Sequence, residues 1–242
     1  MLSPQAKPEW TTILVIGVLL AAACVVVGLW PLAILLLLAA AGLALFFRDP
    51  VRTVPSQRNA MIAPADGKIT SVHEVEHYEP LEGPGVCVRI FLSVLDVHIN
   101  RCPCHGRVRS VSSKPGKYTN AMNPQSAEDN ASTLTVLEHP VKGYPLAAVR
   151  QVAGMLARTI VCTAEQGRVL QRGERIGLIK LGSTTELYVP KSLVPEVQVK
   201  PGQKVRAGMT VLLTYTPASE GGSDGEPAAV PARLFSGDAS AA

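Results

Sequence analysis

In the run Gly177-Leu-Ile-Lys-Leu-Gly-Ser-Thr-Thr-Glu-Leu-Tyr-Val-Pro190, the Gly182-Ser183 bond has the chemistry to break itself. Glycine leaves the Gly182 carbonyl carbon unshielded and lets the backbone bend, so the Ser183 hydroxyl can attack it. The amide becomes an ester. β-Elimination then frees the Gly182 carboxylate and leaves dehydroalanine, which hydrolyses to a pyruvoyl group at a new N-terminus. The chain would thus make its own electrophilic cofactor from Ser183. Leu181-Gly-Ser-Thr184 also suits a plain bulge in a strand. Residues elsewhere in the chain decide between the two.

Four other segments carry reactive or charged groups. Ala63-Pro-Ala-Asp-Gly67 reads as a turn entering a strand, with Asp66 at its tip. Phe91-Leu-Ser-Val-Leu-Asp-Val-His-Ile-Asn-Arg-Cys-Pro103 sets His98 beside an apolar strand, where it is either structural or a proton carrier near neutral pH. Val149-Arg-Gln-Val-Ala-Gly-Met-Leu-Ala-Arg158 and Phe46-Phe-Arg-Asp-Pro-Val-Arg52 complete the set. The five cysteines have no disulfide spacing and favour a reducing compartment. Cys102-Pro-Cys-His105 lacks a second ligand cluster, so no metal is expected.

The elements that must position these groups fall into four stretches. Residues 1–12 form a flank. Residues 13–47 are almost wholly apolar and uncharged, broken by Gly28-Leu-Trp-Pro31. They read as a membrane anchor, either a helical hairpin or one kinked helix. Lys7 precedes it and Arg48, Arg52 and Arg58 follow, which places the body on the cytoplasmic face of the cell membrane. Residues 48–216 alternate short β-rich runs with Gly/Pro turns, the pattern of a mainly β barrel or sandwich. Strands are predicted at 67–75, 86–92, 106–111, 132–137, 147–152, 159–163, 175–181, 186–189 and 210–214. The stretches beginning at Gly167 and Val197 resemble each other and look like the hammerhead turns of biotinyl/lipoyl-type domains. Lys114–Ala131 reads as a long polar loop. Residues 217–242 read as a disordered tail.

Taken in order, FFRDPVR, PADG, DVHINRCP, QVAGMLAR and LGST resemble phosphatidylserine decarboxylases of the short, membrane-associated prokaryotic form. The resemblance spans residues 46–216. It implies autocatalytic cleavage between Gly182 and Ser183, giving chains 1–182 and 183–242 that stay associated as a heterodimer; a higher oligomer is left open. It implies a pyruvoyl cofactor in place of Ser183 and a Schiff base to the amine of phosphatidylserine. Loss of CO2 would yield phosphatidylethanolamine. His98 would protonate the product carbon, and Asp66 would orient the base that activates Ser183. Longer family members carry a second histidine three residues after the first; here that position is Arg101, which is never a base at neutral pH. Either His98 serves both steps or another group, such as His105, assists. Lys114, Lys117 and Asn130 would contact the head group. Arg48, Arg52 and Arg58 would attract anionic lipid at about 1 kcal/mol each.

A membrane-tethered biotinyl/lipoyl-like carrier or a phosphocarrier is the rival. The first would need an acceptor lysine in a Met-Lys-Met or Asp-Lys context, which is absent. The second would phosphorylate His98 and leave Gly182-Ser183 intact. The net charge of +4 is too modest to point to nucleic acid.

Overall fold

The computed structural model describes residues 1–120, 126–155, 158–180, 182–193 and 196–216. The expected disordered tail, 217–242, lies outside the described residues.

The apolar stretch folds as a hairpin of α1 (Lys7–Val26) and α2 (Trp30–Leu45), turning at Gly28 with φ +80°. Pro8 stands in the first turn of α1, where a missing N–H costs nothing, and extends the helix N-terminal of the expected start. The two helices meet along small residues. Gly17, Ala21, Ala33, Ala40 and Ala44 are buried, and a Cβ at Gly17 would come within 2.5 Å of the Ala40 Cβ. Leu19, Leu35 and Leu38 point outward and are exposed. The helix from Pro4 to Val26 is long and apolar enough to cross a membrane; α2 is shorter. At the feet of the hairpin, the N–H of Ser3 donates to Phe47 O and that of Asp49 to Met1 O, each at 2.7 Å.

Fourteen strands follow among the described residues: β1 (Ala60–Ile62), β2 (Gly67–Tyr78), β3 (Gly83–Leu92), β4 (Ile99–Arg101), β5 (Gly106–Lys114), β6 (Ser132–Glu138), β7 (Pro145–Val152), β8 (Ile160–Cys162), β9 (Val169–Leu170), β10 (Arg175–Ile179), β11 (Ser183–Pro190), β12 (Glu196–Val197), β13 (Lys204–Val205) and β14 (Val211–Thr214). Eight form an antiparallel sheet in the order β13-β2-β3-β11-β7-β6-β5-β9. Two small sheets, β1-β14-β12 and β4-β10-β8, accompany it. The large sheet curls, so that Ile69, Ile90, Leu137 and Leu187 share one apolar core with Met61 and Leu213 of a small sheet. Each such side chain contributes roughly 1.5–3 kcal/mol by leaving water.

The pairing shows an approximate duplication. β2 starts at Gly67 opposite Val205 of β13; β5 starts at Gly106 opposite Leu170 of β9. Likewise β1 pairs with β14 and β4 with β10. The two look-alike stretches therefore occupy equivalent places: each sends one strand to the large sheet and the next to a small one. The pairing establishes a mainly β, curled-sheet body, and the finer biotinyl/lipoyl likeness does not emerge from it.

β11 lies between β3 and β7, and every residue in it is buried. Strand alternation turns Ser183, Thr185, Leu187 and Val189 to one face, the one that carries the core. Thr184, Glu186 and Tyr188 face the other side, where Glu186 accepts from Arg150 Nε and Tyr188 OH at 2.7 and 2.8 Å.

Candidate active site

The turn from β10 into β11 is held at both ends by one histidine. The N–H of Ile179 donates to the carbonyl of His98 at 3.1 Å. The N–H of Gly182 donates to its Nε2 at 3.0 Å. Nδ1 of the same ring donates to the carbonyl of Asp96 at 2.9 Å, so Nε2 keeps its lone pair. His98 is 0% exposed and lies against the Phe46 ring, with centroids 4.5 Å apart. Burial pushes its pKa down to about 4, against the pull of the Asp96 carbonyl, and the ring is neutral at pH 7.

Gly182 adopts φ +67°, a conformation that disfavours any residue with a Cβ. Ser183, next along, is 0% exposed, and its Oγ has no hydrogen-bond partner among the described residues. A buried hydroxyl without a partner is costly, and no hydrogen bond to a described residue diverts it from the neighbouring carbonyl. These residues fit the formation of a pyruvoyl group at position 183.

Asp66 is placed differently from the expectation that it orients the base. Its Oδ2 accepts from Arg52 Nη2 and its Oδ1 from the N–H of Ala207, both at 2.7 Å. Burial raises its pKa in spite of these two partners. Neither nitrogen of His98 bonds to Asp66. Arg52, expected to face lipid, has a side chain only 8% exposed and is committed to this pair. Arg101 donates to Asp49 Oδ1 at 2.8 Å, Gly173 O at 3.0 Å and Pro50 O at 3.1 Å; Arg175 also pairs with Asp49. The residue standing in for a second histidine is thus a strut joining the Arg-Asp-Pro segment to the β9–β10 turn. His105 makes no hydrogen bond to Gly182 or Ser183.

A family model described as phosphatidylserine decarboxylase matches residues 40–213. The chain belongs to the phosphatidylserine decarboxylase family. A phosphatidylserine decarboxylase proenzyme of Rhodopirellula baltica is 45% identical over 186 residues, which are 77% of each chain. The proenzyme of Carboxydothermus hydrogenoformans is 42% identical over 167 residues, 69% of this chain and 76% of the relative. That of Desulfotalea psychrophila is 42% identical over 181 residues, 75% and 83% of the two. The family match runs from within α2 to within β14 and so includes every segment that converges here. The carrier and phosphocarrier readings find no support.

Of the loop residues expected to meet the head group, Asn130 is buried and its amide is used four times. It accepts from the N–H and Oγ1 of Thr119 and donates to Thr119 O and Ala153 O, at 2.8–3.0 Å. It anchors the loop. Lys114 donates to Glu128 O and exposed Lys117 pairs with Asp129. Loop residues 121–125 lie outside the described residues.

Sequence reasoning missed a buried amide pair close to Gly182-Ser183. Gln151 Nε2 donates to Asn100 Oδ1 at 2.8 Å, and Asn100 Nδ2 to Thr185 Oγ1 at 2.9 Å. Thr185 lies two residues beyond Ser183 on the same face of β11. The signal was present: Asn100 and Gln151 sit inside two of the motifs, but neither was given a role there.

Proposed function

We propose that this chain cleaves itself between Gly182 and Ser183 and then removes the serine carboxylate of phosphatidylserine as CO2, leaving phosphatidylethanolamine. The observation that carries it is the buried Ser183 Oγ, unpartnered among the described residues, beside a positive-φ glycine whose N–H is held by His98 Nε2.

For cleavage, Ser183 Oγ must lose a proton and the Ser183 nitrogen must gain one. His98 Nε2 is neutral, carries a lone pair and lies one residue away. It exchanges its bond to the Gly182 N–H for the Ser183 hydroxyl and passes the proton on. The pyruvoyl group left in place of Ser183 supplies an electron-withdrawing carbonyl that stabilises negative charge as CO2 departs.

Cleavage turns Gly182 into a chain terminus and puts a carboxylate beside His98, which favours the protonated imidazole. The same Nε2 that served as base then donates a proton to the carbon that lost CO2. The apolar wall of Phe46 and the buried start of β11 exclude water from this proton. Asp66 is a positioning group, holding Arg52 and the Ala207 backbone. Lys114 and Lys117 remain the loop cations offered to the lipid phosphate.

Chains 1–182 and 183–242 stay together because β11 is hydrogen-bonded on both edges to the first chain, and β13 and β14 pair with β2 and β1. The hairpin, 13–47 in the sequence, embeds the body, 48–216, at the cytoplasmic face of the membrane.

Intact mass under denaturing conditions tests this. Two chains split after Gly182, the smaller blocked at its N-terminus with pyruvoyl mass, are expected, together with CO2 release from vesicle phosphatidylserine. A single uncut chain of 25.6 kDa after incubation with membranes overturns it.

A further inference from the structure

The turn that lies over the scissile bond exposes two apolar side chains at the foot of the hairpin. Leu95 is 83% exposed and Val94 43%. The turn is braced from within: the N–H of Asp96 donates to Ser93 O at 3.0 Å, and Asp96 Oδ2 accepts from the Ser93 N–H at 2.8 Å. The acid of the turn is therefore drawn inward, leaving an apolar tip.

The tip is fixed relative to the hairpin. The Arg48 guanidinium donates to Leu95 O and, at 3.2 Å, to Leu45 O at the end of α2. On the other helix, Lys180 pairs with Glu9. Between them Ala6, Trp10, Ile13, Phe46 and Phe47 pack against Val97, Ile99 and Leu178. Hairpin foot, turn and scissile segment are thus packed together. A Cβ built at Gly182 would lie 3.7 Å from Val94 Cγ2, which puts the bond to be cut directly beneath the tip.

Depth follows from these ties. α2 ends at Leu45 and the apolar run two residues later at Phe47, and Arg48 stands where a basic side chain reaches out of hydrocarbon towards phosphate. Leu95, bonded to Arg48, is at that same level. We propose that the Ser93–Asp96 turn is a second membrane contact, seating Val94 and Leu95 in the interfacial layer of the bilayer directly over Gly182-Ser183. The membrane surface then closes the site, and a phospholipid head group reaches it without crossing water. The inference rests on the hairpin being membrane-embedded.

Native Trp30, at the hairpin turn, reports on the hairpin, and a Leu95→Trp change in a Trp30→Phe background reports on the turn. Trp10 is common to both and is subtracted using the Trp30→Phe parent. The full-length protein is reconstituted in phosphatidylcholine/phosphatidylglycerol vesicles with brominated acyl chains. Residue 95 emission is expected to be quenched most by bromines near the head-group end and to be shielded from aqueous iodide. Iodide quenching without bromine quenching, while Trp30 is quenched, overturns the proposal and spares the hairpin. An unquenched Trp30 removes the hairpin reading and this inference together. Emission that follows protein-to-lipid ratio instead assigns the tip to a second copy of the chain and also overturns it. In parallel, Leu95→Asp is expected to lower kcat/KM roughly tenfold on vesicle phosphatidylserine and to leave it unchanged on a dispersed short-chain analogue. Equal loss on both sinks the proposal.

Discussion

Nε2 of His98 accepts the backbone N–H of Gly182 across 3.0 Å, one residue before the serine whose hydroxyl has no hydrogen-bond partner among the described residues. The imidazole therefore holds the Gly182-Ser183 segment in place. On the proposed mechanism one side chain both positions the bond and carries the proton, so that no second histidine is required at the position of Arg101.

His98→Ala is expected to slow self-cleavage by about 10²–10⁴-fold, the usual worth of a positioned acid–base group. The conversion of the full chain is followed on denaturing gels. Normal cleavage without CO2 release would confine His98 to the second step; full activity would remove it from both.

Gly182→Ala has room for its methyl, with Val94 Cγ2 at 3.7 Å, but must hold φ +67°. An L-residue there costs about 1–2 kcal/mol. The protein is expected to fold and to cleave roughly tenfold or more slowly, because the added Cβ also crowds the carbonyl under attack. Cleavage at the parental rate would show that the left-handed geometry is not part of the reaction.

His98 has a folded pKa of about 4 against an ordinary value of 6.5. Between those values the unfolded chain binds more protons than the folded one. Stability from this group is complete above about pH 6.5 and is lost as pH falls through about 4, on the order of 3 kcal/mol in all. Denaturant midpoints of the uncut Ser183→Ala chain should fall across that window, and His98→Gln should flatten the slope. An unchanged slope would mean that the ring is not buried as a neutral group.

Asp49 is buried between Arg101 and Arg175. Asp49→Ala leaves two guanidinium groups facing each other without a counter-charge and is expected to destabilise the body by about 3–5 kcal/mol. Thermal unfolding measures it. Arg101→His should not speed cleavage, because position 101 is a strut tied to Asp49, Pro50 and Gly173. Faster cleavage would show that this position still belongs to the proton path.

Much of the arrangement was legible in the chain. All nine expected strands are present, because apolar runs bounded by Gly and Pro have few alternatives to pairing. The strands that went unseen, β1, β4, β9, β12 and β13, are two or three residues long and carry no periodicity to read. The hairpin was one of two readings of the apolar stretch. Gly17 packed on Ala40 shows why the helices fold back: small side chains let them approach closely.

The sequence by itself picked out Gly182-Ser183 as the candidate reacting pair, through an open glycine carbonyl beside a hydroxyl and four further motifs in family order. It determined too that His98 and Asp66 belong to the motifs. Only the tertiary structure decided what those groups touch. His98 reaches Gly182, 84 positions along the chain, because β4 pairs with β10 and β10 leads towards Gly182-Ser183. Asp66 is drawn instead to Arg52 and Ala207, and Asn130 is consumed by the loop it closes. A residue's type sets which bonds it can form. Which of them it does form depends on burial, where each polar atom must find a partner, and on strand pairings that no local stretch of sequence encodes.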